Sequence, residues 1–567
     1  MRKLIALVGA VVTVLASLTV PVAQAQTRVQ AAATPKQGLV CTDGPSFDLT
    51  AGSGYIETPD GNSVFMWSYA LAQGGFQSPG PVLCVEQGEK VSVHLHNDLA
   101  EPVSIVFPGQ LAVGGTGTQG LLAREAPAGG DATYTFTAGE PGTYVYESGS
   151  DPSKQVEMGL YGAFVVRPAG HPDYAYDAAT RFDPKREYLI LLSDIDPDLH
   201  HAVETGGTYD FTTLRNRYFA INGRQFPDTL QNNGVSWLPA QPYGALVRVK
   251  PYDATRNPLP ALIRMANVGA LNHPFHPHGN HVRQIAQDGR PLRTPGGGDA
   301  TGEHFGDTVA SGQTQDFLFT WKDQDSWDAQ GNPLPASVAS PDYRNLTFKN
   351  GDTWSSGSAY LGAKGTLPVG TASQNVCGEW YFPWHSHALN EFTNFDAGFG
   401  GMATLLRVDP PGGCAAAAGS SVILAGTPES GSAAALASAD SSYYQVTSTA
   451  TATPVTDWYG GLSGVPAGAS ALTVTYTGHN TAATPPTALP TTLWAWKWST
   501  GAWVRLGTET GVGASDTTIT RVLPTPQSDF LGTGANQGRV RVRVLTTGTT
   551  TGFLTLGNLL KLTYDAP

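Results

Sequence analysis

Residues 90–97 read KVSVHLHN, a short strand-like run from which the fold of this chain can be worked out. Similar runs follow at 134–137, 143–146 and 163–167, and Gly, Pro, Asn and Asp residues separate them. Short strands at this spacing are typical of β-sandwiches and β-barrels. The stretch from about 39 to 168 is therefore predicted to be one all-β domain.

The rest of the chain has the same strand-rich character. A second all-β domain is predicted at 186–408, with a Gly/Ser/Asp/Pro-rich insertion at about 322–376. Residues 410–440 are of low complexity and are predicted to form a linker. The Thr/Gly-rich residues 441–567 are predicted to form a C-terminal β-sandwich module.

The N-terminus predicts export. A short positive stretch precedes an apolar run over 4–20, and a small-x-small cleavage pattern ends at Ala25. The alternative is an uncleaved anchor, but the apolar run is short for a bilayer span. We expect a signal peptide at 1–25, a flexible leader at 26–38, and a mature protein that is extracellular or periplasmic. No later stretch predicts a membrane span.

The cysteines fit an oxidising compartment because their number is even. They are Cys41, Cys84, Cys377 and Cys414. Four cysteines allow three pairings, and sequence does not choose among them firmly. We expect Cys41 to pair with Cys84 and Cys377 with Cys414, because each pair falls within one expected domain.

The overall charge excludes one class of function. The chain has 33 Lys and Arg against 46 Asp and Glu, a net charge of −13 over 567 residues. No basic stripe is present to neutralise phosphates, so nucleic-acid binding is not expected. The sequence also carries no Gly-x-Ser-x-Gly motif and no paired-carboxylate signature of a glycosidase.

The histidines are clustered. Residues 273–281 read HPFHPHGNH and residues 382–387 read FPWHSH. Because residues i and i+2 of a strand share a face, His276 points with His278, and His385 points with His387. If the two strands approach, four neutral imidazoles converge, a set suited to Cu, Zn or Ni. The alternative is hydrogen-bonded core or turn histidines, but the presence of two such pairs favours a metal.

These stretches resemble the multicopper oxidases. NHPFHPHGNH is similar to the family motif HPFHLHGH, and WHSHALNEFTNFDAGFGGM is similar to its final motif HCHxxxHxxxGM. PGPVLCVEQGEKVSVHLHNDL and GTYVYESGS resemble further landmarks, and the resemblance covers roughly residues 40–408. It implies two cupredoxin-like Greek-key β-barrel domains rather than the commoner three, followed by the C-terminal β-sandwich.

Several family ligands are replaced. The first two histidine motifs of the family correspond to residues 105–109 (IVFPG) and 146–149 (YESG), in which no histidine remains. Ser386 stands where the resemblance places the cysteine of the blue type 1 copper, which leaves His273 and Met402 as orphan ligands. Since blue copper needs a thiolate, no blue site is expected.

The resemblance assigns a reduced metal site. His276 matches a type 2 ligand, and His278, His385 and His387 match type 3 ligands, with His273 nearby. This set would hold one or two copper ions, with zinc as the alternative. Glu147 occupies the position of a lost ligand and either faces the same cavity or is an ordinary solvated or salt-bridged carboxylate. In two-domain members of the family the cluster can form between subunits of a homotrimer, which would bring in Glu147 of a neighbour.

The resulting hypothesis is a secreted copper-dependent oxidoreductase that uses a small-molecule reductant or oxygen and is not an ordinary laccase. Its alternatives are a non-catalytic copper-handling protein and a cupredoxin-fold scaffold. In the C-terminal module, Trp494, Trp496 and Trp498 share one strand face. We expect these indoles to be sandwich core; the alternative is a sugar-stacking platform that attaches the protein to a surface or polysaccharide.

Overall fold

Two sheets from the first part of the chain enclose one apolar core. The computed structural model describes residues 37–255, 257–321, 353–354, 364–365, 380–395, 400–409, 414–482, 488–548 and 552–565. One sheet has the order β1 (Thr42–Asp43), β4 (Leu83–Glu86), β12 (Tyr161–Arg167), β11 (Gly142–Glu147). The other has the order β3 (Ser63–Leu71), β2 (Ser46–Glu57), β5 (Lys90–Asn97), β10 (Asp131–Thr137), β7 (Gly114–Thr116). A small sheet joins β6 (Val103–Ser104), β9 (Arg124–Ala126) and β8 (Thr118–Gln119). Val93 of β5 and Phe164 of β12, both fully buried, belong to the shared core.

A second pair of sheets follows and positions the histidines. One has the order β14 (Tyr218–Ile221), β13 (Glu187–Ile195), β16 (Ala261–Asn267), β22 (Thr314–Phe319), β18 (Val282–Gln287), β19 (Arg290–Pro291), with β20 (Gly302–His304) beside β18. The other has the order β15 (Val247–Val249), β26 (Ala403–Val408), β25 (Trp380–Ser386), β17 (His273–Pro277), β21 (Asp307–Val309). Ile263 and Trp384, one from each sheet, lie in their common core. Within the predicted insertion only β23 (Thr353–Trp354) and β24 (Lys364–Gly365) are described, and they pair with each other.

The first two pairs of sheets are joined by a buried network of charges. Arg264, which is fully buried, donates from Nε to Glu187 at 2.7 Å and from Nη1 to the Thr143 hydroxyl at 3.0 Å. Thr143 in turn donates to Asp316 at 2.5 Å. Burial alone would raise the pKa of Glu187, but Arg264 and Arg167 outweigh burial and lower this pKa. A separate apolar cluster, including Val165 of β12 and Leu191 of β13, packs across the same boundary.

The last part of the chain forms a two-layer β-sandwich that starts earlier than predicted. Its strands are β27 (Cys414–Ala425), β28 (Thr427–Ser430), β29 (Tyr444–Thr447), β30 (Val455–Leu462), β31 (Ser470–Ala482), β32 (Leu489–Lys497), β33 (Ala502–Val512), β34 (Thr517–Val522), β35 (Val540–Thr547) and β36 (Phe553–Asp565). The prediction of a linker over 410–440 is therefore wrong for β27 and β28. Alternate small residues of β27 (Cys414, Ala416 and Ala418) face the core, so the Ala-rich run is a closely packed strand.

The tryptophan prediction is also wrong. The core side of β32 consists of Leu493 and Ala495, both fully buried. Trp494 and Trp496 alternate with these residues and are half-buried on the outer face of the sheet. The Trp458 and Tyr476 side chains fill the interior instead, so β32 needs only small and aliphatic residues there.

Few helices interrupt this all-β fold, whose predicted class is confirmed. They are α1 (Pro152–Gln155), α2 (Pro197–Glu204) and α3 (Leu389–Phe392), and short 3-10 turns occur at Ala178–Thr180, Phe211–Thr213, Asp228–Leu230, Ala433–Leu436, Gln527–Phe530 and Gly534–Asn536. In the part of the chain that is described, none has the length and apolar character needed to traverse a bilayer. The predicted signal peptide and most of the leader lie outside the described residues.

The disulfide prediction is confirmed for one pair. Cys41 and Cys84 are bonded, with Cα atoms 5.6 Å apart, and they link the start of the chain to β4. Cys414 is also disulfide-bonded. Cys377 lies outside the described residues, so its pairing with Cys414 stays a prediction.

Candidate metal centre

The two histidine motifs meet because β17 and β25 are neighbours. The strands are antiparallel, and His276 lies directly opposite His385 in the register. The alternate residues Phe275 and Trp384 are buried in the core of this pair of sheets. With those side chains turned inward, the period of two directs the histidines of both strands to the other face.

Four imidazole rings gather on this face. The centre of the His276 ring lies 5.3 Å from that of His278, 5.8 Å from that of His385 and 5.3 Å from that of His387. His385 lies 5.9 Å from both His278 and His387. Only His385 is buried, His276 is half-buried, and His278 and His387 are exposed. The cluster is therefore open to solvent on one side.

Backbone carbonyls fix the tautomer of two rings. Nδ1 of His276 donates to the carbonyl of Phe305 at 2.5 Å, and Nδ1 of His385 donates to the carbonyl of Ser386 at 2.7 Å. A proton on Nδ1 leaves a lone pair on Nε2 when the ring is neutral. Burial, and then the neighbouring imidazoles, lower the pKa of both His276 and His385. Both rings are therefore neutral near pH 7, as metal ligands must be.

The imidazole nitrogens of the four histidines lie near one another, but they do not surround a common position at which a metal ion could bind. Among the described residues, no group of three or more His, Cys, Asp or Glu side chains is arranged to hold a metal ion as it stands. Metal–imidazole bonds are about 2.0–2.1 Å long, which puts a ring centre roughly 3 Å from a bound ion. Rings with centres 5.3–5.9 Å apart can therefore converge on one ion by side-chain rotation. The donor set fits copper or zinc.

His273 does not join this cluster, which corrects the expectation that it is a ligand. It is fully buried, with Nδ1 2.9 Å from Glu391 and Nε2 3.4 Å from Asp194. The contact to Asp194 is an ion pair without the alignment of a hydrogen bond. Burial would lower the pKa of His273, but the two carboxylates raise it to about 9. A protonated ring facing two carboxylates has no lone pair to offer a metal.

Glu391 contacts the residues around which the resemblance places the blue copper. The hydroxyl of Ser386 donates to Glu391 at 2.5 Å, and the same carboxylate oxygen contacts His273. Met402 is fully buried, and its backbone N–H donates to the Glu391 carbonyl at 2.9 Å. These residues do not fit a type 1 copper, since the thiolate is missing and a carboxylate already joins His273 to Ser386. Sequence reasoning missed Asp194, which lies on β13, far away in the chain.

Glu147 was expected either to face the cavity beside the histidines or to be an ordinary solvated or salt-bridged carboxylate. It ends β11 and pairs through its backbone with Val106, and burial raises the pKa of its carboxyl. A cavity of about 860 Å³ adjoins the cluster and is lined by residues that include His276, His278, His281, Arg283, Phe305 and Trp321. Glu147 is not among its lining residues.

Comparison with known proteins identifies relatives of part of the chain. Residues 70–171 match the family model described as multicopper oxidase. Copper resistance protein A of Escherichia coli is 29% identical over 161 residues, which is 28% of this chain and 24% of that protein. A probable nitrite reductase–hydroxylamine oxidoreductase fusion protein of Kuenenia stuttgartiensis is 27% identical over 256 residues, 44% of this chain and 25% of that protein. The chain thus spans about a quarter of the length of these curated relatives. Among solved structures, the blue copper oxidase of Nitrosomonas europaea is similar with a TM-score of 0.41 and 19% identity, over 64% of this chain and 85% of that one.

Proposed function

Because this chain carries a multicopper oxidase domain, we propose that its four-histidine cluster binds copper and that the protein is a copper-dependent oxidoreductase without a blue type 1 centre. The observation that carries the proposal is the convergence of His276, His278, His385 and His387 from two paired strands. A scaffold would need no such convergence of imidazole rings.

The residues around the cluster have distinct tasks in this proposal. Copper, when bound, would supply a one-electron redox couple and an open coordination position. His276 and His385 would be the best-oriented ligands, since carbonyls hold their Nδ1 protons. His278 and His387 would complete the set from the solvent side. Phe305, which is 66% exposed, packs edge-on against His276 and would limit access of water.

The absence of a type 1 copper is part of this proposal and implies an activity unlike that of a laccase. The hydrogen bond from Ser386 to Glu391 and the ion pair from Glu391 to His273 occupy that position. A reductant would then have to deliver electrons at the histidine cluster itself, through the adjoining cavity.

Copper handling without turnover is the second candidate function. The exposure of His278 and His387 favours it, because ligands at the surface let an ion exchange with a partner or with solvent. Turnover of a reductant by the copper-loaded protein would separate the two functions.

Self-association would complete the open side of the cluster, and we include a homotrimer in the proposal. Exposed apolar side chains in two parts of the chain support it. In the first pair of sheets these side chains are Leu111, Leu121 and Leu122. Leu122 lies close to Gly149, the last residue of the replaced histidine motif at 146–149, since a Cβ atom built on Gly149 would be 3.2 Å from it. Phe305 and Leu389 flank the histidines. Sedimentation analysis of the wild-type chain and of Leu121→Glu tests this part, with a wild-type monomer as the contradicting result.

The decisive experiment measures metal content and copper EPR after copper loading and dialysis. We expect about one or more tightly held copper ions per chain, no blue absorption band, and loss of this copper in His276→Ala/His385→Ala. The matched control is His94→Ala/His96→Ala, which removes two histidines that lie on β5 and take part in ion pairs at the surface. No retained copper in the wild type would overturn the proposal, and a blue band would contradict the assignment of Ser386.

A further inference from the structure

The outer face of one sheet in the C-terminal sandwich carries aromatic and cationic side chains in register. Residues paired directly across five adjacent strands (β27, β30, β35, β32 and β33) form one row: Val422, Tyr459, Arg543, Trp494 and Arg505. In the next row Trp496 pairs with Trp503 across β32 and β33. We call the set Tyr459, Trp494, Trp496, Trp503, Arg541 and Arg543 the Trp/Arg face.

The arginines of this face lie over the aromatic rings. The guanidinium of Arg541 is 4.6 Å from the Trp498 ring centre and 5.6 Å from that of Tyr459. The guanidinium of Arg543 is 5.8 Å from the ring centres of both Trp494 and Trp503. Such contacts hold the cations at the surface of the sheet and keep their positions fixed.

The charge of the face is opposite to that of the whole chain. The face contains two arginines, Arg541 and Arg543, and Arg505 lies next to it in the same row as Trp494. One carboxylate, that of Asp457, pairs with Arg543, so three positive side chains are balanced by one negative side chain. The full chain has a net charge of −13. Among the described residues, Arg541 has no carboxylate within ion-pair distance, so its charge is available to a ligand.

We propose that the Trp/Arg face binds an acidic polysaccharide. Indole and phenol rings offer apolar faces on which the C–H faces of sugars pack, and arginine pairs with carboxylate or sulfate groups. The half-buried rings of Trp496 and Trp503 and the unpaired charge of Arg541 supply both components within one surface. A nucleic acid is disfavoured, because its binding depends on several cations that neutralise phosphates, and on this face Arg543 is already paired with Asp457. This binding is independent of the metal site.

Binding of alginate, a polyuronate, to the full mature chain at low salt tests the proposal, with dextran as the neutral polymer and oligothymidine as the polyphosphate. We expect alginate to bind, added salt to weaken binding, and dextran and oligothymidine to bind more weakly. Trp496→Ala is expected to weaken alginate binding about tenfold and Arg541→Gln by about threefold or more. The matched control is Trp237→Ala, at a tryptophan that is 55% exposed in another part of the chain.

Three results would overturn the proposal. They are no alginate binding by the wild type, alginate binding by both face variants that is as tight as that of the wild type, or binding of oligothymidine that is tighter than that of alginate. Circular dichroism would show whether Trp496→Ala is folded. If it is not, Arg541→Gln decides alone, because that side chain lies over the rings of Tyr459 and Trp498 on the outer face of the sheet and is not part of the core.

Discussion

The buried contact between His273 and Glu391 makes a quantitative prediction about stability. Replacing Glu391 by Gln keeps the size of the side chain and its capacity to accept a hydrogen bond from Ser386. It removes the charge that lies 2.9 Å from His273 and, among the described residues, leaves Asp194 at 3.4 Å as the carboxylate partner.

The magnitude follows from the pKa of His273. Its rise from 6.5 to about 9 in the folded chain corresponds to about 3 kcal/mol, at about 1.4 kcal/mol per pKa unit. Because the folded pKa is raised, this stabilisation is complete below the unfolded pKa of 6.5 and is lost as the pH rises through about 9. Glu391 is the nearer carboxylate, so we assign it roughly 2 kcal/mol of the total.

Hydrogen exchange of peptides from β17 and β25 measures this effect locally, which avoids assuming that the whole chain unfolds in one step. At about pH 6 we expect Glu391→Gln to lower the free energy of opening by roughly 2 kcal/mol, and at about pH 10 we expect the deficit to vanish. Glu303→Gln, at an exposed glutamate of β20 beside β18, is the matched control and should change neither value.

The reasoning would be refuted by a deficit of equal size at both pH values. That result would mean that Glu391 acts through its shape or its hydrogen bond to Ser386 rather than through its charge. The absence of any deficit at the lower pH would show that His273 is neutral in the folded protein.

Three further outcomes are expected. Arg264→Met should lower the free energy of unfolding by roughly 3–5 kcal/mol in urea titrations, because it leaves buried carboxylates without their partner. Cys41→Ser/Cys84→Ser should lower it by about 4 kcal/mol, since the disulfide closes a loop with a sequence separation of 43; an unchanged urea midpoint would contradict this. Ser386→Cys/Glu391→His should produce a blue absorption band after copper loading that Ser386→Cys alone does not, because only the double variant restores a thiolate and removes the competing carboxylate.

The sequence predicted the features that depend on local periodicity. Alternation along each strand was enough to place His276 with His278 and His385 with His387, because the period of a strand is two. The pairing of β17 with β25, which brings the two pairs together, was left open. Cys41 and Cys84 were paired from their proximity in one predicted domain, and the structure has that bond.

The sequence was a poorer guide to which side of a strand faces the core. In β32 the larger indoles were expected inside, but Trp458 of β30, two strands away in the sheet, already contributes a large side chain to the core, and Ala495 suffices. The role of Asp194 could not be read at all, since it reaches His273 only through the packing of β13 against the end of β17. Long-range contacts of this kind leave no local pattern in a sequence.

The Arg264 network has a practical consequence for any effort to isolate the part of the molecule that carries the histidine cluster. Expressing residues 186–409 alone would remove Thr143 and Arg167 from the network and uncover the apolar side chains of Leu189 and Leu191. A minimal version of the protein must therefore also retain the part of the chain before residue 186, which covers these apolar side chains and balances the buried charges. It is far easier to copy a histidine motif into another protein than to rebuild the buried core that supports its strands.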